Sequence, residues 1–223
     1  MTETQRELDP ELRPPAPLLA ASALGFARDG EPVFGPLELS VHAGEVLVVE
    51  GDNGSGKTTL IRILAGLASP GSGSLSGLSG AGDEIGAVAL LGHQLALKPE
   101  LTPLENLRFR MGLSGTRAAA APGAALASVG LEGYEDVPVR RLSQGQRKRA
   151  ALAALLISPA TLWLLDEPYA NLDGSGRVLV DRMLEAHTLR GGAAVITSHG
   201  LIQPQVARVR YVKLDLKLGL PTP

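Results

Sequence analysis

Short, unbroken apolar runs alternate along this chain with apolar positions spaced as on a helix. Residues 45–50 (EVLVVE), 161–165 (TLWLL) and 193–196 (AAVI) show no polar alternation, the pattern of strands covered on both faces. A further strand is expected over 211–216. After the first run, Leu60, Ile63, Leu64 and Leu67 fall at i, i+3, i+4 and i+7 and predict one apolar helix face. Helices are also expected from Pro103, where proline suits the first turn, over the alanine-rich 118–128, and over 146–157, which Ser158-Pro159 must end. The alternation predicts an α/β unit over 18–223: a mixed, mostly parallel sheet with flanking helices and an antiparallel edge. Residues 20–92 would hold that edge, including Gly/Ser-rich turns over 69–82. Residues 95–158 would form a helical subdomain, and 159–202 would return to the sheet. Residues 1–17 read as a disordered, proline-rich leader, and neither an internal repeat nor a heptad run is visible.

The 223 residues, 44% of them hydrophobic, suffice for one such core and not for two. A net charge of −2 and a pI near 6.1 give no basic footprint for nucleic acid. The absence of cysteine removes disulfides and thiolate metal sites and permits a cytosolic setting. Two apolar stretches imitate membrane signals. Before the first, Glu3, Glu7, Asp9 and Glu11 outnumber Arg6 and Arg13, the wrong sign for a signal peptide. The second, 150–165, is divided by Ser158-Pro159 and is too short to span a bilayer.

Candidate chemistry begins at residues 51–59 (GDNGSGKTT), which fit the phosphate-loop pattern G-x-x-x-x-G-K-[ST] between a predicted strand and a predicted helix. Gly51, Gly54 and Gly56 permit a tight turn whose N–H groups, with those of Asn53, Ser55 and Thr59, can wrap a nucleotide's phosphates at a helix N-terminus. Lys57 would reach the β- and γ-phosphates, and Thr58 would face Mg²⁺. The run 161–165 ends in Asp166-Glu167-Pro168, at the strand edge where open parallel sheets bind ligands. Asp166 would orient the Mg²⁺ shell and Glu167 would act as general base on the attacking water.

A third element, Leu142-Ser143-Gln144-Gly145-Gln146, opens the helix expected at 146, with Ser143 as its cap. Arg147, Lys148 and Arg149 follow, read either as an attraction for phosphate or as a solvated basic face. With these motifs the chain resembles the ATP-binding cassette (ABC) family. That resemblance implies a phosphate-loop ABC ATPase core and an ATP-sandwich dimer with a second copy, in which Ser143, Gly145 and Gln146 meet the ATP of the opposite subunit. It also implies Gln94 as the residue joining the metal site to a membrane partner, Asp173 in a dimer-contact loop and His199 as the histidine that contacts the γ-phosphate and water. The aromatic that the family stacks on adenine should fall near Arg28, where no Tyr or Trp stands. A guanidinium plane can stack on a base instead, with Phe26 on the same strand face.

Residues 90–107, 137–156 and 160–173, with Gly92-His93-Gln94 and Trp163, look more narrowly like the ATPase subunit of cytochrome c maturation (haem exporter) systems. The resemblance implies ATP hydrolysis at the cytoplasmic face of a bacterial inner membrane, integral membrane permease subunits as partners, and coupling to haem export or haem-chaperone release. ATP and Mg²⁺ are the implied cofactors. Direct haem binding is not expected: His93 beside Gln94 reads as a loop residue rather than an axial ligand. Two alternatives stay open, a cassette subunit of another exporter (drug, lipid or lipoprotein) and a non-transport cassette ATPase.

Overall fold

The computed structural model describes residues 16–77, 88–114, 119–200 and 203–214. Most of the expected leader lies outside them, as do the last of the turns expected up to residue 82, residue 118 of the alanine-rich helix and the end of the strand expected over 211–216. The chain begins with β1 (Leu19–Arg28), β2 (Glu31–Val41), β3 (Val46–Glu50), α1 (Lys57–Leu64) and β4 (Ser72–Gly77). There follow β5 (Val88–Leu91) and the helices α2 (Pro103–Ser114), α3 (Pro122–Ser128) and α4 (Gln144–Leu156). The remainder is β6 (Leu162–Leu165), α5 (Gly174–Leu189), β7 (Ala193–Ser198) and β8 (Val209–Lys213).

These strands make two sheets. One is fully parallel, in the order β5-β6-β7-β3-β8; the antiparallel strands stand apart as a sheet of their own, β2-β1-β4. Burial on both faces explains the unbroken apolar runs. Leu47 and Val49, Leu162 and Leu164, and Ala193 and Val195 face one core, which they share with Leu60, Ile61, Ile63 and Leu64 of α1 and with Leu19, Leu24 and Phe34 of the antiparallel sheet. Their neighbours Val46, Val48, Trp163, Leu165, Ala194 and Ile196 face a second core, closed by apolar residues of α2, α3, α4 and α5. Trp163 fits there because Ala89 and Ala194 flank it in register, and its ring stacks on His187 with centroids 3.9 Å apart.

Several elements differ from their sequence expectation for local reasons. α1 stops before Leu67, which is 60% exposed: the Gly66 and Leu67 N–H groups fold back onto the Ile63 and Arg62 carbonyls and close the helix. α4 starts two residues early, because Ser143 accepts from the Gln146 N–H while the Gln146 side chain accepts from the Ser143 N–H. Part of the Gly/Ser-rich stretch is strand β4 rather than turn. Side chains at Gly73 and Gly77 would strike the Ala23 and Leu18 carbonyls, so close strand approach, not chain reversal, requires glycine there. The region 159–202 returns to the sheet through β6 and β7 but also contains the long helix α5, capped by Asp173. Between β1 and β2, Asp29 and Gly30 form a two-residue turn with φ of 51° and 86° and leave Arg28 at the strand end. No helix among the described residues is long and apolar enough to cross a membrane.

Candidate nucleotide site

β3 ends at Glu50 and α1 begins at Lys57, so the loop between them sits at the C-terminal edge of the parallel sheet and at a helix N-terminus. Its closure is steric as well as conformational. Gly56 has φ 93°, and a Cβ there would lie 2.8 Å from both Phe34 and Val33, which wall the loop from the β2 side. Asn53, Gly54, Gly56, Lys57, Thr58 and Thr59 line a cavity of about 440 Å³ together with Arg28, Val33, His93 and Glu167. An adjoining cavity of about 350 Å³ is lined by Glu50, Gly51, Asp52, Asn53, His199, Gly200 and Lys213. The Lys57 ammonium folds over the loop and donates to the Gly51 and Asp52 carbonyls at 2.7 and 2.8 Å. Ser55 is the exception within the loop, for its hydroxyl is buried without a partner and lines neither cavity.

The acidic pair at the end of β6 meets the loop from the side. Asp166 is 2% exposed and accepts from the Thr58 hydroxyl at 2.8 Å and from the Thr197 hydroxyl at 2.7 Å. One hydroxyl and one carboxylate form an all-oxygen pair, which suits a hard cation completed by phosphate oxygens and water. No group of three or more His, Asp or Glu side chains gathers as a metal cage among the described residues. Glu167 adopts φ 49°, outside the range comfortable for a side-chain-bearing residue. Its N–H donates to Thr197 Oγ1 at 3.0 Å, its carbonyl accepts from Lys148 Nζ at 3.0 Å, and its carboxylate Oε2 lies 3.4 Å from His199 Nε2. That arrangement can hold a water between a base and a polar partner at the phosphate end of the loop.

Other sequence candidates sit elsewhere. Gln94 is exposed and lines neither cavity; His93, read as a loop residue, is the one that faces the phosphate loop. Ser143 is exposed at the head of α4, and none of Ser143, Gly145 and Gln146 lines this chain's own cavities. Asp173 caps α5 by accepting from the Gly176 N–H at 2.7 Å, with its side chain 72% exposed. The basic triplet is neither a free phosphate attractor nor a solvated face. Arg147 donates to the Val139 and Arg140 carbonyls, Lys148 is 5% exposed, and Arg149 donates to the Val129 carbonyl and the Ser175 hydroxyl. What the sequence did not foretell is that Lys148 and Thr197 meet the backbone of Glu167; Lys148, set between Arg147 and Arg149, carries no local sign of its burial. A larger cavity, about 500 Å³, lies at the opposite sheet edge beside Trp163 and His187, far from this chemistry.

The fold and these residues define a nucleotide-binding ATPase domain, and comparison with known proteins agrees. The family model described as ABC transporter matches residues 34–170, and the chain belongs to that family as an ATPase. It is 55% identical over 211 residues to the cytochrome c biogenesis ATP-binding export protein CcmA of Xanthomonas campestris pv. campestris (strain 8004), covering 93% of this chain and 98% of that protein. The protein of the same description from Xanthomonas oryzae pv. oryzae (strain MAFF 311018) is 56% identical over 203 residues, covering 89% and 94%. Among solved structures, the dimeric post-hydrolysis state of the ATP-binding cassette MJ0796 bound to ADP and Pi superposes with a TM-score of 0.75 at 22% identity. It covers 88% of this chain and 94% of that one, and so supports the fold.

Proposed function

We propose that this chain is the ATP-hydrolysing subunit of an ABC export complex for cytochrome c biogenesis, and that its turnover drives haem export or release of a haem chaperone. The observation that carries the hydrolytic reading is the convergence of Lys57, Thr58, Asp166, Glu167 and His199 on one loop, in a chain 55% identical to a cytochrome c biogenesis export protein over nearly its whole length. ATP would lay its phosphates on the N–H groups of the loop, and Lys57 would leave the Gly51 and Asp52 carbonyls for the β- and γ-phosphates. Arg28, already in the loop's cavity, would stack on the base. Thr58 and Asp166 would hold Mg²⁺, which when bound neutralises phosphate charge and polarises the phosphoryl oxygens. Glu167 takes the proton of the attacking water as its oxygen bonds the γ-phosphorus and the bond to ADP breaks, with His199 steadying the carboxylate and water.

The site is incomplete in one chain. Ser143, Gly145 and Gln146 line neither of this chain's own cavities, which suits donation to the ATP of a second copy in a dimer. Phe109 and Leu113, one turn apart on α2 and 44% and 73% exposed, give an apolar surface for an integral membrane subunit. The protein would thus work peripherally at the cytoplasmic face of the membrane, with no nucleic acid and no haem bound to it directly. Pull-down of the tagged chain from detergent-solubilised membranes tests this. Recovery of small cytochrome c biogenesis membrane proteins with ATP turnover in the complex is expected, and recovery of an unrelated permease would remove the haem assignment.

A further inference from the structure

The backbone of Glu167 is gripped on both sides of its Cα. Its N–H donates to Thr197 Oγ1 at 3.0 Å, and Thr197 in turn donates to Asp166 at 2.7 Å, so this end belongs to the parallel sheet and the phosphate-loop machinery. Its carbonyl accepts from the Ala170 N–H at 3.1 Å and from Lys148 Nζ at 3.0 Å. Lys148 reaches it from α4, and these contacts together hold a residue at φ 49° against its own preference. Lys148 is 5% exposed; burial pushes its pKa below the usual lysine value, while the nearby Asp166 and Glu167 carboxylates push it back up.

Lys148 stands three residues after Gly145 and five after the Ser143 cap, on a rigid helix rising about 1.5 Å per residue. The same stretch of α4 reaches beyond Glu167 to the loop that follows it. Arg149 donates to Ser175 at 2.8 Å and lies 3.7 Å from Asp173, and the Asn171 carbonyl stands 3.7 Å from where a Gly145 Cβ would be. The head of α4 and the backbone of the base therefore form one connected piece, with the buried lysine at the joint.

We propose that Lys148 is a positioning residue that fixes the orientation of Glu167 according to the position of α4, so that engagement of Ser143 and Gly145 with the partner's ATP sets the base in the chain's own site. This rests on the ATP-sandwich reading above. A tilt of α4 on dimer closure moves Nζ and with it the Glu167 carbonyl. Rotation of that peptide swings the carboxylate toward or away from the water, and the two sites fire in concert.

The test is carried out on the complex with its membrane partners. ATP affinity, kcat, KM and the Hill coefficient for ATP are compared for the parent, Lys148→Met, which keeps the length and loses the donor, and Lys148→Arg, which keeps a donor. The parent is expected to show a Hill coefficient above one. Lys148→Met should bind ATP within roughly twofold of the parent yet lose roughly tenfold or more in kcat, with its Hill coefficient falling to one and KM little changed. Lys148→Arg should recover part of both quantities. A purely packing role would lower the melting temperature and leave the Hill coefficient of the folded fraction alone. Where Lys148→Met does not fold, Lys148→Arg decides: a shifted donor must alter the Hill coefficient. A parent Hill coefficient of one, or folded variants with parental kcat and cooperativity, would overturn the proposal. A parent complex with no ATP turnover would instead overturn the hydrolytic reading beneath it.

Discussion

Glu167 is the residue on which most of the proposed chemistry depends, and its placement shows how local and distant signals differ. That Lys57, Thr58, Asp166 and Glu167 would gather at one place was legible in the sequence, because each belongs to a short motif whose spacing along one loop or strand end is fixed by backbone geometry. What orients them was not. Thr197 meets Glu167 from 30 positions away and Lys148 from 19, and contacts across such separations leave no local pattern. Gln94 illustrates the converse. The family resemblance assigned it to join the metal site to a membrane partner; in this chain its side chain is exposed and outside the cavities, while His93 beside it lines the loop's cavity. Replacing Glu167 by Gln preserves shape and removes the proton acceptor. ATP affinity should stay at the parental level while turnover falls by roughly 10² to 10⁴-fold, a range set by what general bases contribute. Equilibrium binding and phosphate-release assays check this; persistence of near-parental turnover would assign the base elsewhere.

At the scale of elements, β3, β6 and β7 were readable because burial on both faces writes an unbroken apolar run, and α4 because its cap and its terminating proline flank it. β4 was not, since the glycines that let it approach β1 carry the composition of a turn. Trp163 was noticed only as a family likeness; the structure gives it a packing role, seated between two alanines and stacked on His187. His187 supplies a pH-dependent term to this layer. Burial lowers its pKa below the ordinary 6.5, against smaller opposing contacts with Thr161 and Ala193, so the folded chain keeps the ring neutral. As pH falls through 6.5 the unfolded chain binds a proton that the folded chain does not, and stability is lost from there down to the lowered folded value. Thermal unfolding followed by the single tryptophan should show a smaller loss of melting temperature between about pH 7.5 and 5.5 in His187→Phe than in the parent. Equal losses would show that His187 does not supply this term.

At the scale of the whole molecule, the proposed ATP-sandwich dimer would have one chain present half of each composite site. Its phosphate loop and Glu167 face one cavity, while the Ser143 cap and the exposed side chain of Asp173 lie outside it. The sequence pointed to this proposed division only through a resemblance, because no pattern within one chain reports on a neighbour. Gly145→Asp probes it without disturbing the monomer, since a Cβ there meets nothing closer than 3.7 Å. The variant should bind ATP as a monomer and fail to trap a dimer, the new carboxylate opposing the partner's γ-phosphate at a cost on the order of a few kcal/mol. Size-exclusion chromatography with ATP and the Glu167→Gln background reads that outcome directly. The most direct test of the function itself is haem staining of c-type cytochromes in cells whose only copy of this chain is either the parent or Glu167→Gln. Cytochrome c should carry haem with the parent and lose nearly all of it with the variant at equal protein level. Undiminished haem attachment in the Glu167→Gln cells would contradict the assignment of ATP hydrolysis by this chain to cytochrome c biogenesis.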